Sequence, residues 1–235
     1  MAKKNKEISS SSLIKIKPIT EGQKSVFETW KQGKNQFLFG CAGTGKTFVS
    51  LYLAMQDVLD LKTKYDKVIL VRSLIPTREI GFLPGDEEDK AALYQVPYQN
   101  MVKFMFQQPN EQAFNMLYDR LKNQGSLYFL STSFLRGLTF DNSIIIVDEC
   151  QNLNFHELDT ITTRVGQDSK IIFCGDFSQT DLAKQNEKNG LHDFLRILEE
   201  MQEFNCVEFN IGDIVRSGFV KNYLIQKTKL GMGME

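Results

Sequence analysis

Histidine is nearly absent from this 235-residue chain: His156 and His192 are the only two. Its four cysteines, Cys41, Cys150, Cys174 and Cys206, stand singly, with no Cys-x-x-Cys pair among them. The ligand spacing of a zinc site and the paired framework of a disulfide-stapled domain are both missing, and the pattern fits a reducing cytosol. No carboxylate cluster shows the metal-ligand spacing of a nuclease. No apolar run approaches the roughly 20 residues that cross a bilayer. The opening MAKKNKEISSSS carries basic residues with no apolar core behind them. It reads as a solvated arm, or as a short basic tract that docks a polyanion, and not as a secretory leader. Charge is unbiased too: the net value of −1 lacks the footprint of a dedicated duplex-binding module, so any nucleic-acid contact must come from a local patch.

What remains is an ordinary globular composition, 42% hydrophobic and 24% charged, at a length suited to one compact domain. There is no internal repeat, and Ser9–Ser12 is the only low-complexity stretch. Residues 1–18 are expected to form a flexible arm, 19–228 a single domain and 229–235 a flexible tail.

Aliphatic runs predict strands at Gln36–Gly40, Lys67–Arg72, Ser126–Ser131, Ser143–Val147 and Lys170–Cys174. Helical patterns fall between them: Thr20–Lys31 with an N-cap threonine, Phe48–Leu61, Lys90–Phe106, Glu111–Lys122, Phe155–Val165, Gly190–Glu203 and Asp213–Lys227. Strands alternating with helices predict an α/β fold, a mostly parallel sheet with helices on both faces. Ser73–Asp89, with Pro76, Gly81, Pro84, Gly85 and an acidic cluster, reads as loop.

Gly40-Cys41-Ala42-Gly43-Thr44-Gly45-Lys46-Thr47 matches G-x-x-x-x-G-K-[ST] in full, between a predicted strand and a predicted helix opening into Phe48. Glycines let successive N–H groups curl around phosphate oxygens, and the helix start adds its positive end. Lys46 would reach the β- and γ-phosphates, and the Thr47 hydroxyl would ligate Mg²⁺. The bare alternative is a glycine-rich turn. Asp148 and Glu149 follow the β-branched run Ile144–Val147 at the strand end that faces such a loop. Asp148 would hold the metal through water, and Glu149 would act as general base. Gly175–Asp181 follows the next strand, where Gln179 would reach the γ-phosphate or the lytic water, unless the loop is merely polar.

Together these segments resemble the PhoH-like family, P-loop ATPases related to the first core domain of superfamily 1 helicases. FGCAGTGKT (Phe39–Thr47), Arg72 with GFLPGD (Gly81–Asp86), FLRGLTF (Phe134–Phe140), VDECQN (Val147–Asn152), GDFSQTDL (Gly175–Leu182) and GDIVRSGFV (Gly212–Val220) run in family order. The resemblance implies a RecA-like P-loop NTPase domain that hydrolyses ATP with Mg²⁺. It implies that Gln23 reads the adenine edge, that Gln151 couples the acidic pair to neighbouring loops, and that Arg216 meets a γ-phosphate. Three positions depart from the family: Cys150 stands for a small residue, Leu138 for an arginine, and Ser217-Gly218 for a His-Pro pair.

Helicase-type ATPases complete their site across two similar domains, and this chain has length for one. Arg216 therefore either folds back on its own nucleotide or acts in trans within a homo-oligomer, expected as a hexameric ring; alternatively it pairs with Asp213 at i−3. The ATPase is expected to act on RNA or single-stranded DNA through Arg72, Arg78, Lys103 and Arg136, with Phe82, Tyr94, Tyr98 and Phe134 either stacking bases or packing in the core. A switch acting on a protein partner, or a nucleotide-binding scaffold, are the other readings. The expected location is cytoplasmic, a host's cytoplasm if the protein is viral.

Overall fold

The computed structural model describes residues 6–73, 87–132, 135, 137–176 and 190–230, the side chains of 87–92 and 228 excepted. Six strands are found among these: β1 (Asn35–Gly40), β2 (Lys67–Arg72), β3 (Leu127–Ser131), β4 (Ser143–Val147), β5 (Lys170–Cys174) and β6 (Phe204–Phe209). They form one sheet in the order β3-β2-β4-β5-β1-β6, and every pairing is parallel. Parallel neighbours require long crossovers. Helix α1 (Glu21–Lys31) precedes β1, the crossovers carry α2 (Lys46–Leu59), α3 (Glu87–Phe106), α4 (Glu111–Asn123), α5 (Phe155–Thr162) and α6 (Leu191–Glu200), and α7 (Gly218–Lys229) follows β6.

The two faces of the sheet are read off by alternation, since successive strand side chains point to opposite sides. Ile144 and Ile146 join a core built with Val26 and Trp30 of α1, Met55 and Val58 of α2, and Tyr98 and Val102 of α3. Ile145 and Val147 join the other core, with Leu158 and Ile161 of α5 and Phe194 and Leu198 of α6. Burial on both faces explains why the central strands read as unbroken aliphatic runs.

Several segments differ from the sequence expectation, among them α3, which begins at Glu87 inside the stretch read as loop. β6 does not read as a strand in the sequence, because only Phe204, Val207 and Phe209 are buried and the polar or exposed Asn205, Cys206 and Glu208 break the pattern at the sheet edge. The segment read as a free arm is packed from Ile8 onward. Ile8 and Leu13 are buried in the first core, the Ile14 N–H donates to Met105 O at 2.9 Å, and the Ile16 N–H donates to the Tyr52 hydroxyl at 3.0 Å. Its few spaced apolar residues suffice to dock it, whatever the surrounding serines and lysines suggest. Among the described residues no helix is long and apolar enough to cross a membrane.

Candidate active site at the strand ends

The sheet order sets β5 between β1 and β4, and the pairings Leu38↔Cys174 and Val147↔Phe173 bring their carboxyl ends nearly level. The residues that follow these strands therefore share one edge: the Gly40–Thr47 loop, Asp148-Glu149, and Gly175-Asp176. In open α/β sheets this is the edge where ligands bind.

The phosphate loop leaves β1 at Gly40, whose φ of +112° belongs to the region glycine favours. A Cβ there would stand 2.0 Å from Phe209 O, so the position tolerates only glycine. The neighbouring Cys41 N–H donates to that same carbonyl at 2.8 Å, pinning the loop to the end of β6. Burial pushes the Cys41 thiol up, which keeps it protonated. Within the loop, the Thr44 hydroxyl donates to Cys41 O at 3.1 Å. Gly45, at φ +86°, is the N-cap of α2, and no side chain caps that helix. Its first-turn N–H groups lie at the strand ends, the arrangement that binds anions. The buried Lys46 amine lies between Gly40 O (3.0 Å) and Cys41 O (2.8 Å), with the Asp176 carboxylate 3.9 Å away. Phe48 is half-buried and packs edge-on against Phe104, so its side chain is a wall of α2 and not a phosphate ligand.

Thr47 and Asp148, distant in sequence, meet: the Thr47 hydroxyl donates to Asp148 Oδ1 at 2.6 Å. Asp148 is 7% exposed, and its other oxygen accepts from the Tyr98 hydroxyl at 2.7 Å. A hydroxyl and a carboxylate side by side are the hard oxygen donors that Mg²⁺ takes, so the residues fit that ion. No group of three or more His, Cys, Asp or Glu side chains converges elsewhere among the described residues. Glu149 is half-buried and left-handed at φ +53°, an unusual backbone for a non-glycine residue and one that turns the chain sharply after β4. Gln151 ties this turn to the next strand: its amide N–H donates to the Glu149 carboxylate, and its carbonyl accepts from Asp176 N–H at 3.0 Å. Cys150 is wholly buried in the second core, where a small side chain fits and burial holds the thiol well above its ordinary range.

Two more segments frame the loop. Gln23 is buried, and its amide donates to Thr44 O at 3.1 Å while its carbonyl accepts from the Ile19 N–H at 3.0 Å. The stretch after β6 crosses the loop from the other side. Val215 N–H donates to Gly43 O at 3.0 Å, and a Cβ on Gly43 would stand 2.8 Å from Arg216 Cγ and 3.2 Å from its Nε. Arg216 thus lies against the phosphate loop of its own chain. The pairing with Asp213 is not formed. That buried carboxylate accepts from the N–H groups of Gly22 (2.8 Å) and Asn210 (2.9 Å). Burial pushes its pKa up, but these donors hold it below the usual range.

The sequence candidates for nucleic acid fare unevenly. Tyr98 is buried at 1% exposure, so it packs in the core and cannot stack a base. Arg72 is half-buried, with its guanidinium 5.6 Å from the Tyr94 ring centroid and its charge interacting with the Tyr98 phenol. Lys103 is paired with Glu111 and lies over the Phe114 ring. Arg78, Arg136, Gln179, Phe82 and Phe134 fall outside the described residues. The sequence reading passed over α7 and its approach. Residues 214–230 hold four basic side chains, Arg216, Lys221, Lys227 and Lys229, and no acidic one. None of the described side chains of α7 is buried; Phe219 is 83% exposed and Tyr223 61%. The charge run was the available signal.

Comparison with known proteins follows this geometry. The family model described as PhoH-like protein matches residues 15–226. A PhoH-like protein of Synechocystis sp. is 34% identical over 186 residues, covering 79% of this chain and 54% of that protein. Protein PhoH of Escherichia coli is 32% identical over 190 residues, covering 80% of this chain and 51% of that protein. The chain thus spans about half the length of these relatives. Among solved structures, the large terminase of a thermophilic bacteriophage in complex with ADP superposes with a TM-score of 0.51 at 15% identity. That match covers 88% of this chain and 49% of the terminase.

Proposed function

The chain belongs to the PhoH-like family and has the RecA-like P-loop NTPase fold, and on that premise we propose that it is a Mg²⁺-dependent ATPase coupled to single-stranded nucleic acid. The observation that carries the reading is the 2.6 Å contact between Thr47 and Asp148, which joins the phosphate loop to the acid of β4. The α2 N-terminus and the Lys46 ammonium bind and orient the β- and γ-phosphates. Bound Mg²⁺ would neutralise charge developing on those oxygens. Thr47 and Asp148 are the residues to hold it. Glu149, at the turn beside them, takes the proton of the attacking water. Gln151 holds the Glu149 carboxylate in line with Asp176. Gln23 keeps one amide N–H and one carbonyl lone pair beyond its two bonds, the complement of an adenine edge.

Arg216 is assigned in cis. Its contact with Gly43 of the same chain favours this over the trans arrangement expected from domain counting. A homo-oligomer remains part of the proposal, because Val215, Phe219, Tyr223 and Leu230 are exposed apolar surface beside the site. The same surface favours, as a second reading, a switch acting on a protein partner.

The nucleic-acid half of the proposal rests on α7. Its three lysines, Lys221, Lys227 and Lys229, with no acid on the helix, draw phosphates, and Phe219 and Tyr223, one helical turn apart, offer faces for bases. The test is ATP turnover with and without single-stranded RNA or DNA at several salt concentrations. Salt-sensitive stimulation supports the coupling. Turnover indifferent to polynucleotide favours the protein switch, and no turnover at all with Glu149 intact defeats the ATPase reading.

A further inference from the structure

Asp148 is held from two sides, once by the phosphate loop and once by a residue outside it. Its Oδ1 accepts from Thr47 of α2, and its Oδ2 accepts from the Tyr98 hydroxyl at 2.7 Å. Tyr98 comes from α3, far along the chain, and its ring is fixed in the core 5.8 Å from the Phe129 ring. The Arg72 guanidinium, at the end of β2, interacts electrostatically with the phenol. Two donors thus converge on one carboxylate, Tyr98 on Oδ2 and Thr47 on Oδ1, and the Arg72 charge favours the phenol that donates.

A carboxylate's terminal torsion is broad and roughly two-fold, so an aspartate bonded on one oxygen alone can twist. Bonds at both oxygens remove that freedom. They also decide where the Thr47 proton points. With its O–H directed at Oδ1, the Thr47 hydroxyl keeps its lone pairs for a cation. Satisfying a buried tyrosine hydroxyl does not demand this partner; a backbone carbonyl would serve. Asp148 is instead the carboxylate that meets the phosphate loop.

We propose that Tyr98 is a positioning residue for the metal site, fixing the plane of Asp148 and through it the orientation of the Thr47 hydroxyl, with Arg72 as its outer support. The proposal rests on the reading of Thr47 and Asp148 as the Mg²⁺-holding pair. It extends the site to α3 and β2.

The test uses the full chain and Mn²⁺ as a spectroscopic stand-in for Mg²⁺. Mn²⁺ binding in the presence of ADP is measured by electron paramagnetic resonance, and ADP binding without metal by calorimetry. Outer supports of metal ligands are typically worth 10–100-fold in metal affinity or activity. Tyr98→Phe, which keeps the ring and deletes one hydroxyl, is expected to weaken Mn²⁺ binding about 10-fold or more while leaving metal-free ADP affinity unchanged. Arg72→Met, altered on the half-exposed side, is expected to weaken Mn²⁺ in the same sense by a smaller factor; it decides the matter if Tyr98→Phe does not fold. Unchanged Mn²⁺ affinity in a folded variant, or metal-free ADP affinity that falls in parallel, overturns the positioning role while the ATP site stands. Failure of the unaltered protein to bind Mn²⁺ with ADP overturns the metal-site reading and this proposal with it.

Discussion

Lys170 sits at the amino end of β5, on the side of the sheet away from the phosphate loop, and is only 2% exposed. Its ammonium lies 4.1 Å from the Trp30 ring centroid and donates to Trp30 O at 3.3 Å. Burial lowers its pKa from 10.5 to about 8, against the attraction of Asp57 and with the repulsion of Lys64. The sign follows from proton counting. Between about pH 8 and 10.5 the unfolded lysine holds a proton that the folded one has released, so stability rises with pH across that window. A fall of this size corresponds to about 3 kcal/mol. The Trp30 ring attracts only the charged form and returns about 2 kcal/mol of this. Replacing the lysine in Lys170→Met removes the titration while keeping the bulk. Urea unfolding of both proteins from about pH 7.5 to 10.5 is the assay, and titrating groups remote from Lys170 cancel in the difference. The unaltered protein is expected to gain on the variant by about 1–3 kcal/mol over that range. A difference that stays constant within about 0.3 kcal/mol would refute the assignment of a buried, depressed lysine.

Mixing Arg216→Ala with Lys46→Ala chains separates the two settings of the arginine. The cis assignment predicts ATP turnover no higher than either parent, since no mixed site regains both residues; restored turnover would return Arg216 to the neighbouring subunit. On α7, Lys227→Ala is expected to weaken single-stranded RNA binding and to reduce the slope of log affinity against log salt by about 1. Phe219→Ala is expected to cost about 1–3 kcal/mol of that binding with no change in the salt slope. Both are read by fluorescence anisotropy, and unaltered binding in both variants removes α7 from the interface.

The phosphate loop and the strands β2, β4 and β5 were legible because they obey local rules. A doubly covered parallel strand must be aliphatic throughout, and Ser143–Val147 and Lys170–Cys174 are found with the boundaries the sequence suggests. Thr20 likewise caps α1, its hydroxyl accepting from the Gln23 N–H. What escaped was set by partners remote in sequence. β6 has an edge strand's mixed pattern, and only its pairing with β1 makes it a strand. The helix expected from Asp213 starts at Gly218, because the intervening residues form a tight turn at Ile211–Asp213 and then cross the phosphate loop. Asp213 looked like a partner for Arg216 until Gly22, at the start of α1, claimed its carboxylate. Tyr98 carries no local mark of its task, since a tyrosine on an amphipathic helix reads as core. Its bond to Asp148 exists only because β2, β4 and α3 meet in the fold.

The most direct test of the central claim compares the unaltered chain with Glu149→Gln in phosphate release from ATP and Mg²⁺, alongside ATP binding. The account predicts that the variant still binds ATP while turnover falls by about 10²–10⁴-fold, the contribution of a positioned general base. Turnover by Glu149→Gln at the unaltered rate would contradict it.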